Sequence, residues 1–135
     1  QKNDALEVWP VDLPSGSPWK CLDKQSPWCE FARAAAKYAE QAARWEPTTA
    51  VVVDWHGGAA WQRILAAWPA LPSVRMRPPK VCYFNFRVYS SGIAHCRNTD
   101  AELIEWYEEH ERSSLEMSSE VICLSQRLLA AWPAL

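Results

Sequence analysis

Residues 81–97 read Val-Cys-Tyr-Phe-Asn-Phe-Arg-Val-Tyr-Ser-Ser-Gly-Ile-Ala-His-Cys-Arg. From Cys82 to Tyr89, side chains that favour a core alternate with polar or amphipathic ones, as in a strand with one buried face. Ser90-Ser91-Gly92 has the composition of a three-residue turn, with glycine at the position that needs a left-handed backbone. The stretch therefore predicts an antiparallel β-hairpin over residues 81–97.

The register of this predicted hairpin assigns its side chains to two faces. A three-residue loop places Phe84, Phe86 and Val88 on the face toward the core, together with Cys82. The opposite face then collects the binding candidates, which are Tyr83, Asn85, Arg87, Tyr89, Ile93, His95 and Arg97. The alternative interpretation is an ordinary solvated sheet face, as half-exposed antiparallel sheets commonly have.

The rest of the 135-residue chain predicts a single small α+β domain around this hairpin. Residues 1–25 contain three prolines and read as an irregular N-terminal arm, and residues 26–135 read as the domain. Ser26-Pro27 is a helix start, and the β-branched run 50–55 is a strand that could join the sheet. Three to four helices are predicted to cover the sheet, over residues 27–45, 59–68, 100–112 and 120–132.

Charge is unevenly distributed along the sequence. Between Asp54 and Asp100 every charged residue is basic, whereas Arg112 is the only basic residue from Asp100 to Glu120. The basic segment 63–97, with Arg75 and Arg77, predicts an anion-binding surface or a surface neutralised by the acidic segment. Its interleaved aromatic residues make single-stranded nucleic acid an alternative partner, with Tyr83 as a base-stacking candidate.

The five cysteines are Cys21, Cys29, Cys82, Cys96 and Cys123. None are spaced as C-x-x-C, so we predict neither a zinc ribbon nor a cofactor. Cys29 lies in the first turn of a predicted helix and His95 on a later strand. This order resembles that of papain-like and NlpC/P60-type cysteine hydrolases, and it implies a catalytic Cys29–His95 pair. The competing interpretation of Cys29 is a structural cysteine. Because the chain starts at Gln1 without an initiator methionine, an exported protein is also an alternative, and Cys21 and Cys29 could then form a disulfide.

Nine tryptophans in so short a chain indicate an interface, because Trp, Tyr and Arg are enriched among residues that dominate binding energy. We therefore predict a non-enzymatic protein-binding or inhibitor module, with a protein partner or a second copy bound around the hairpin. No apolar run reaches the ~20 residues of a membrane span. Segments 62–71 and 126–135 match at all but one position, for which the sequence offers no physical reason.

Overall fold

The computed structural model describes residues 6–13, 27–68, 78–94 and 100–124. The described elements alternate between helices and strands along most of the chain. In chain order they are α1 (Pro27–Ala35), a 3-10 turn (Ala36–Tyr38), α2 (Ala39–Arg44), β1 (Thr49–Val53), α3 (Asp54–Ala67), β2 (Lys80–Asn85), α4 (Tyr89–Ala94), α5 (Ala101–Glu116) and β3 (Glu120–Cys123).

The sheet has three parallel strands in the order β1-β2-β3. Val51 lies opposite Cys82, and Phe84 lies between Val53 and Ile122. The small α+β character is confirmed, but the predicted antiparallel hairpin over 81–97 is wrong. Its first half is the central strand β2, which pairs with the predicted strand near 50–55. The predicted turn at 90–92 lies within α4 instead, so the chain leaves the sheet after Asn85.

Helices α3 and α5 cover one face of the sheet. Val52, Val81 and Tyr83 form a buried cluster on that face, packed against Trp61 of α3, Leu115 of α5 and Met117 directly after α5. The face assignment from the sequence is therefore reversed. Tyr83 and Asn85 point toward the helices and are fully buried, whereas Phe86 is 46% exposed.

The predicted helix from Pro27 is confirmed, although a 3-10 turn divides it into α1 and α2. Glu46 has a left-handed backbone with φ of 51° directly after this helix, before Pro47. A left-handed residue is a common way to end a helix. Ala42 and Ala43 of α2 pack against Trp68 at the end of α3, so small residues allow the two helices to approach closely.

The junction between β1 and α3 differs from the prediction. His56, Gly57 and Gly58 separate the predicted strand 50–55 from the predicted helix 59–68, but they lie in the first turns of α3, and the change of direction occurs at Asp54. Asp54 has a φ of 50°, a conformation that aspartate adopts more readily than most residues.

The start of the predicted helix 120–132 is also wrong, because Glu120–Cys123 form the strand β3. The rest of the predicted 120–132 helix lies outside the described residues. Within the described part of the chain, none of the helices is long and apolar enough to cross a membrane.

Gly58 sets how closely α3 approaches α5. A Cβ atom at this position would lie 2.1 Å from Oγ and 2.7 Å from Cβ of Ser114, which is 1% exposed. We therefore expect Gly58→Ala to lower the free energy of unfolding by about 1–3 kcal/mol, as overpacked sites generally do.

Gly57 provides the matched control for this change in the same helix. Its added Cβ would come no closer than 3.5 Å to any atom, the nearest being the Val52 carbonyl carbon. Because alanine favours helix, Gly57→Ala should be neutral or stabilising by up to about 1 kcal/mol. Urea unfolding of both variants measures the difference, and equal losses would contradict the proposed α3–α5 contact.

Candidate functional site

Two buried carboxylates hold the segment that follows β2 at the carboxyl edge of the sheet. Asp54, at the end of β1, accepts a hydrogen bond from the Phe86 N–H at 2.8 Å through Oδ1. Its Oδ2 lies 3.8 Å from Nε of Arg87. The positive φ of Asp54 therefore places its carboxylate under the β2–α4 connection.

Glu111 of α5 is the second carboxylate and is 2% exposed. It accepts hydrogen bonds from the Tyr89 N–H and, at 2.6 Å, from the Ser90 hydroxyl. Burial raises the pKa of Glu111, and the bonds from Ser90 and Tyr89 only partly oppose this effect. Glu111 thus caps the start of α4 from a distant helix.

Two further polar side chains of β2 lie in the same buried region. Asn85 accepts a hydrogen bond from the Arg87 N–H at 3.1 Å, and its Nδ2 has no hydrogen-bond partner among the described residues. Burial raises the pKa of Tyr83, and the negative charges of Glu111 and Asp54 add to this effect. Asp54, Asn85, Ser90 and Glu111 form what we call the carboxyl-edge cluster.

The carboxyl-edge cluster presents Arg87 to solvent. The Arg87 side chain is 68% exposed, and its guanidinium carbon lies 4.9 Å from the centre of the Tyr89 ring. Tyr89 in turn stacks on Tyr107 of α5 at 5.6 Å. Loops at the carboxyl ends of parallel strands commonly bind ligands, so Arg87 has a typical position for recognition.

His56 lies close to this edge, in the first turn of α3. Its ring packs on Trp28 with 4.1 Å between ring centres. Burial lowers the pKa of His56, and the nearby carboxylate of Asp54 partly compensates by favouring the charged form. The neutral imidazole is thus held between aromatic rings.

The sheet face turned away from the helices carries a row of apolar side chains. Val51 is 64% exposed, Ile122 is 43% exposed, and the rings of Phe84 and Phe86 lie 4.9 Å apart. We call this the open sheet face, defined by Val51, Val53, Phe84, Phe86 and Ile122. Parallel sheets are ordinarily covered on both faces, whereas the helices within the described ranges pack against one face of this sheet.

A separate cleft of about 170 Å³ lies between α1, α3 and α5. We call it the helical cleft. Two alanines contribute to its lining, and the side chains that give it chemical character are Cys29, Arg33, Trp55, Arg63, Trp106 and His110. Cys29 is half-buried at this cleft, and Cys21, its predicted disulfide partner, lies outside the described residues.

The structure brings together only some of the residues predicted as sites. Arg87 is exposed and Tyr89 half-buried, whereas Tyr83 and Asn85 are buried. Cys29 lines the helical cleft. The other predicted residues, Arg75, Arg77, His95 and Arg97, have side chains outside the described residues.

Sequence reasoning missed the residues that share the cleft with Cys29. The helical spacing i, i+4 relates Cys29 to Arg33, and it also relates Trp106 to His110. This spacing predicts which residues share a helix face, but it does not predict which helices meet. The cleft was therefore not recognisable without the packing of α1, α3 and α5.

Within the described ranges, no group of three or more His, Cys, Asp or Glu side chains is placed to hold a metal ion. Comparisons with protein families, with curated proteins and with solved structures find no match to this chain.

The raised pKa of Glu111 predicts a pH-dependent contribution to stability. A carboxyl group whose pKa is higher in the folded state favours folding below its unfolded pKa, and this contribution is lost as pH rises through the folded pKa. Glu111→Gln removes the titrating group. The stability of this variant relative to the wild type should therefore improve as pH rises from about 4 to about 8.

The control is Glu105→Gln, because Glu105 is exposed on the same helix. Urea unfolding across this pH range, compared between the two variants and the wild type, isolates the contribution of position 111. A relative stability of Glu111→Gln that stays constant or falls with rising pH would contradict the raised pKa.

Proposed function

We propose that this chain is a protein-binding module whose open sheet face receives an amphipathic α-helix of a partner protein. The observation that carries the proposal is a parallel sheet whose described helices pack against one face, while the apolar side chains of the other face are exposed. Exposed Val51, Phe86 and Ile122 on the other face would gain free energy on burial, at roughly 25 cal/mol per Å² of apolar area.

The dimensions of the open sheet face favour a helix as its occupant. Three strands spaced by about 4.8 Å give a width near 10 Å, which is close to the diameter of one α-helix. The six residues of β2 span about 20 Å, the length of a helix of about 13 residues. A single helix of three to four turns would therefore cover this face.

The charges around the open sheet face define the partner further. Arg87 is exposed at the carboxyl edge, while Lys80 and Glu120 are exposed at the amino ends of neighbouring strands. A partner helix with an apolar stripe and an acidic residue over Arg87 would complement this arrangement. The burial of Tyr83 favours this protein partner over a nucleic acid, because a buried ring offers no surface for stacking on a base.

The experiment places a photo-crosslinking amino acid at position 51 and, as a control, at position 8. Val8 is also an exposed valine, with 78% exposure, but it lies in the N-terminal segment rather than on the sheet. In an extract of the source cells, position 51 should crosslink to another protein within a peptide of amphipathic helical pattern, whereas position 8 should not. Crosslinks within the same molecule, to a second copy, or to nucleic acid would each contradict the proposal.

A synthetic peptide with the crosslinked sequence then allows a quantitative prediction. Val51→Lys places a charge within the proposed contact and should weaken peptide binding by about tenfold or more, because burying an unpaired charge is costly. Val8→Lys introduces the same charge elsewhere and should leave the dissociation constant unchanged. Fluorescence anisotropy measures both affinities, and equal affinities of the two variants would place the binding site elsewhere.

A further inference from the structure

The helical cleft has a chemical character that protein binding at the open sheet face does not use. Among the described residues that line it, the charged ones are Arg33 and Arg63, both exposed, and none is acidic. Neither arginine forms an ion pair with another described residue. Two guanidinium groups at one cleft create a local positive potential that favours an anion.

His110 is fixed at the wall of the cleft by its neighbours. Its Nδ1 lies 2.8 Å from the carbonyl oxygen of Trp106, and its ring packs on the Trp106 ring at 3.9 Å. A carbonyl oxygen only accepts hydrogen bonds, so Nδ1 carries the proton. The remaining nitrogen, Nε2, is then the one available to a bound molecule.

Trp55 and Trp106 form the apolar part of the cleft. Trp55 is 1% exposed, and its ring meets the Trp106 ring edge-on at 5.2 Å. Indole walls lower the local dielectric constant, which strengthens the attraction between a guanidinium group and an anion. A volume of about 170 Å³ accommodates a small molecule but not a folded chain.

From this arrangement we propose that the helical cleft binds a small molecule bearing a carboxylate or phosphate group. Arg33 and Arg63 pair with the anionic group at the mouth of the cleft, and the rest of the molecule lies beside the Cys29 thiol and the two indole rings. This site is independent of the open sheet face, because it is built from helices on the other side of the sheet.

Two alkylating reagents of similar size test the proposal on the intact chain. Iodoacetate carries a carboxylate and iodoacetamide is neutral, and both react with the same thiolate, forming the C–S bond as iodide leaves. The ratio of their rates at one cysteine therefore cancels the fraction of thiolate and reports the local preference for an anion. Peptide mass mapping gives this ratio separately for Cys29 and for Cys123, a half-buried free thiol outside the cleft.

We expect the iodoacetate-to-iodoacetamide rate ratio at Cys29 to exceed that at Cys123 by about fivefold, since each partly exposed ion pair contributes a factor of roughly two to five. Inorganic phosphate at constant ionic strength should compete with iodoacetate and reduce this excess. Equal ratios at the two cysteines would overturn the proposal, as would an excess that phosphate leaves unchanged.

Substitutions of the arginines identify the source of the preference. The double variant Arg33→Gln and Arg63→Gln should bring the ratio at Cys29 down to that at Cys123. Arg44→Gln is the matched control, because Arg44 is exposed on α2 and pairs with Glu40 outside the cleft. It should keep the wild-type ratio. An excess that survives in the double variant would show that the two arginines do not bind the anion.

Discussion

The hydrogen bonds between Glu111 and the start of α4 stabilise the helix through which the chain leaves the sheet. By accepting from the Tyr89 N–H, Glu111 satisfies a backbone donor that a helix start leaves unpaired, and it also accepts from the Ser90 hydroxyl. The sequence Tyr-Ser-Ser-Gly has little helix propensity of its own, so this cap from α5 compensates for a weak local preference. Because the segment becomes a helix, the chain leaves the sheet after β2, and the strand that next joins the sheet is parallel.

The alternation in β2 was predicted correctly, but its meaning depended on partners that are distant in sequence. Tyr83 and Asn85 look like solvent-facing residues because they are polar or amphipathic. Asn85 instead bonds to the loop that Asp54 also holds, while Phe86 remains exposed. A period of two identifies a strand and its two faces, whereas the choice of the buried face follows from tertiary contacts.

Local signals were more reliable where they act within a few residues. Pro27 begins α1 as its sequence position indicates, and the side chain of Asp100 caps α5 by accepting from the Glu102 N–H at 3.0 Å. The predicted boundary between the strand 50–55 and the following helix was wrong, because it depends on a contact between distant segments. Gly57 and Gly58 have the composition of a turn, but Gly58 serves the close approach of α3 to α5, which no local pattern reveals.

The packing of the helices on one face of the sheet separates the two proposed sites, which therefore differ in size and chemical character. The described helices lie on one side of the sheet, and the apolar face on the other side is about one helix wide. At this proposed site, binding energy would come mainly from burial of valine, isoleucine and phenylalanine. The helical cleft is too small for a polypeptide, and its side chains contribute charge and hydrogen-bonding groups instead. The β1–α3 unit links both sites, since Val51 lies on the open sheet face while Trp55 and Arg63 line the cleft. In the proposed complex, a partner helix on β1 would therefore contact an element that is covalently continuous with the helix lining the cleft.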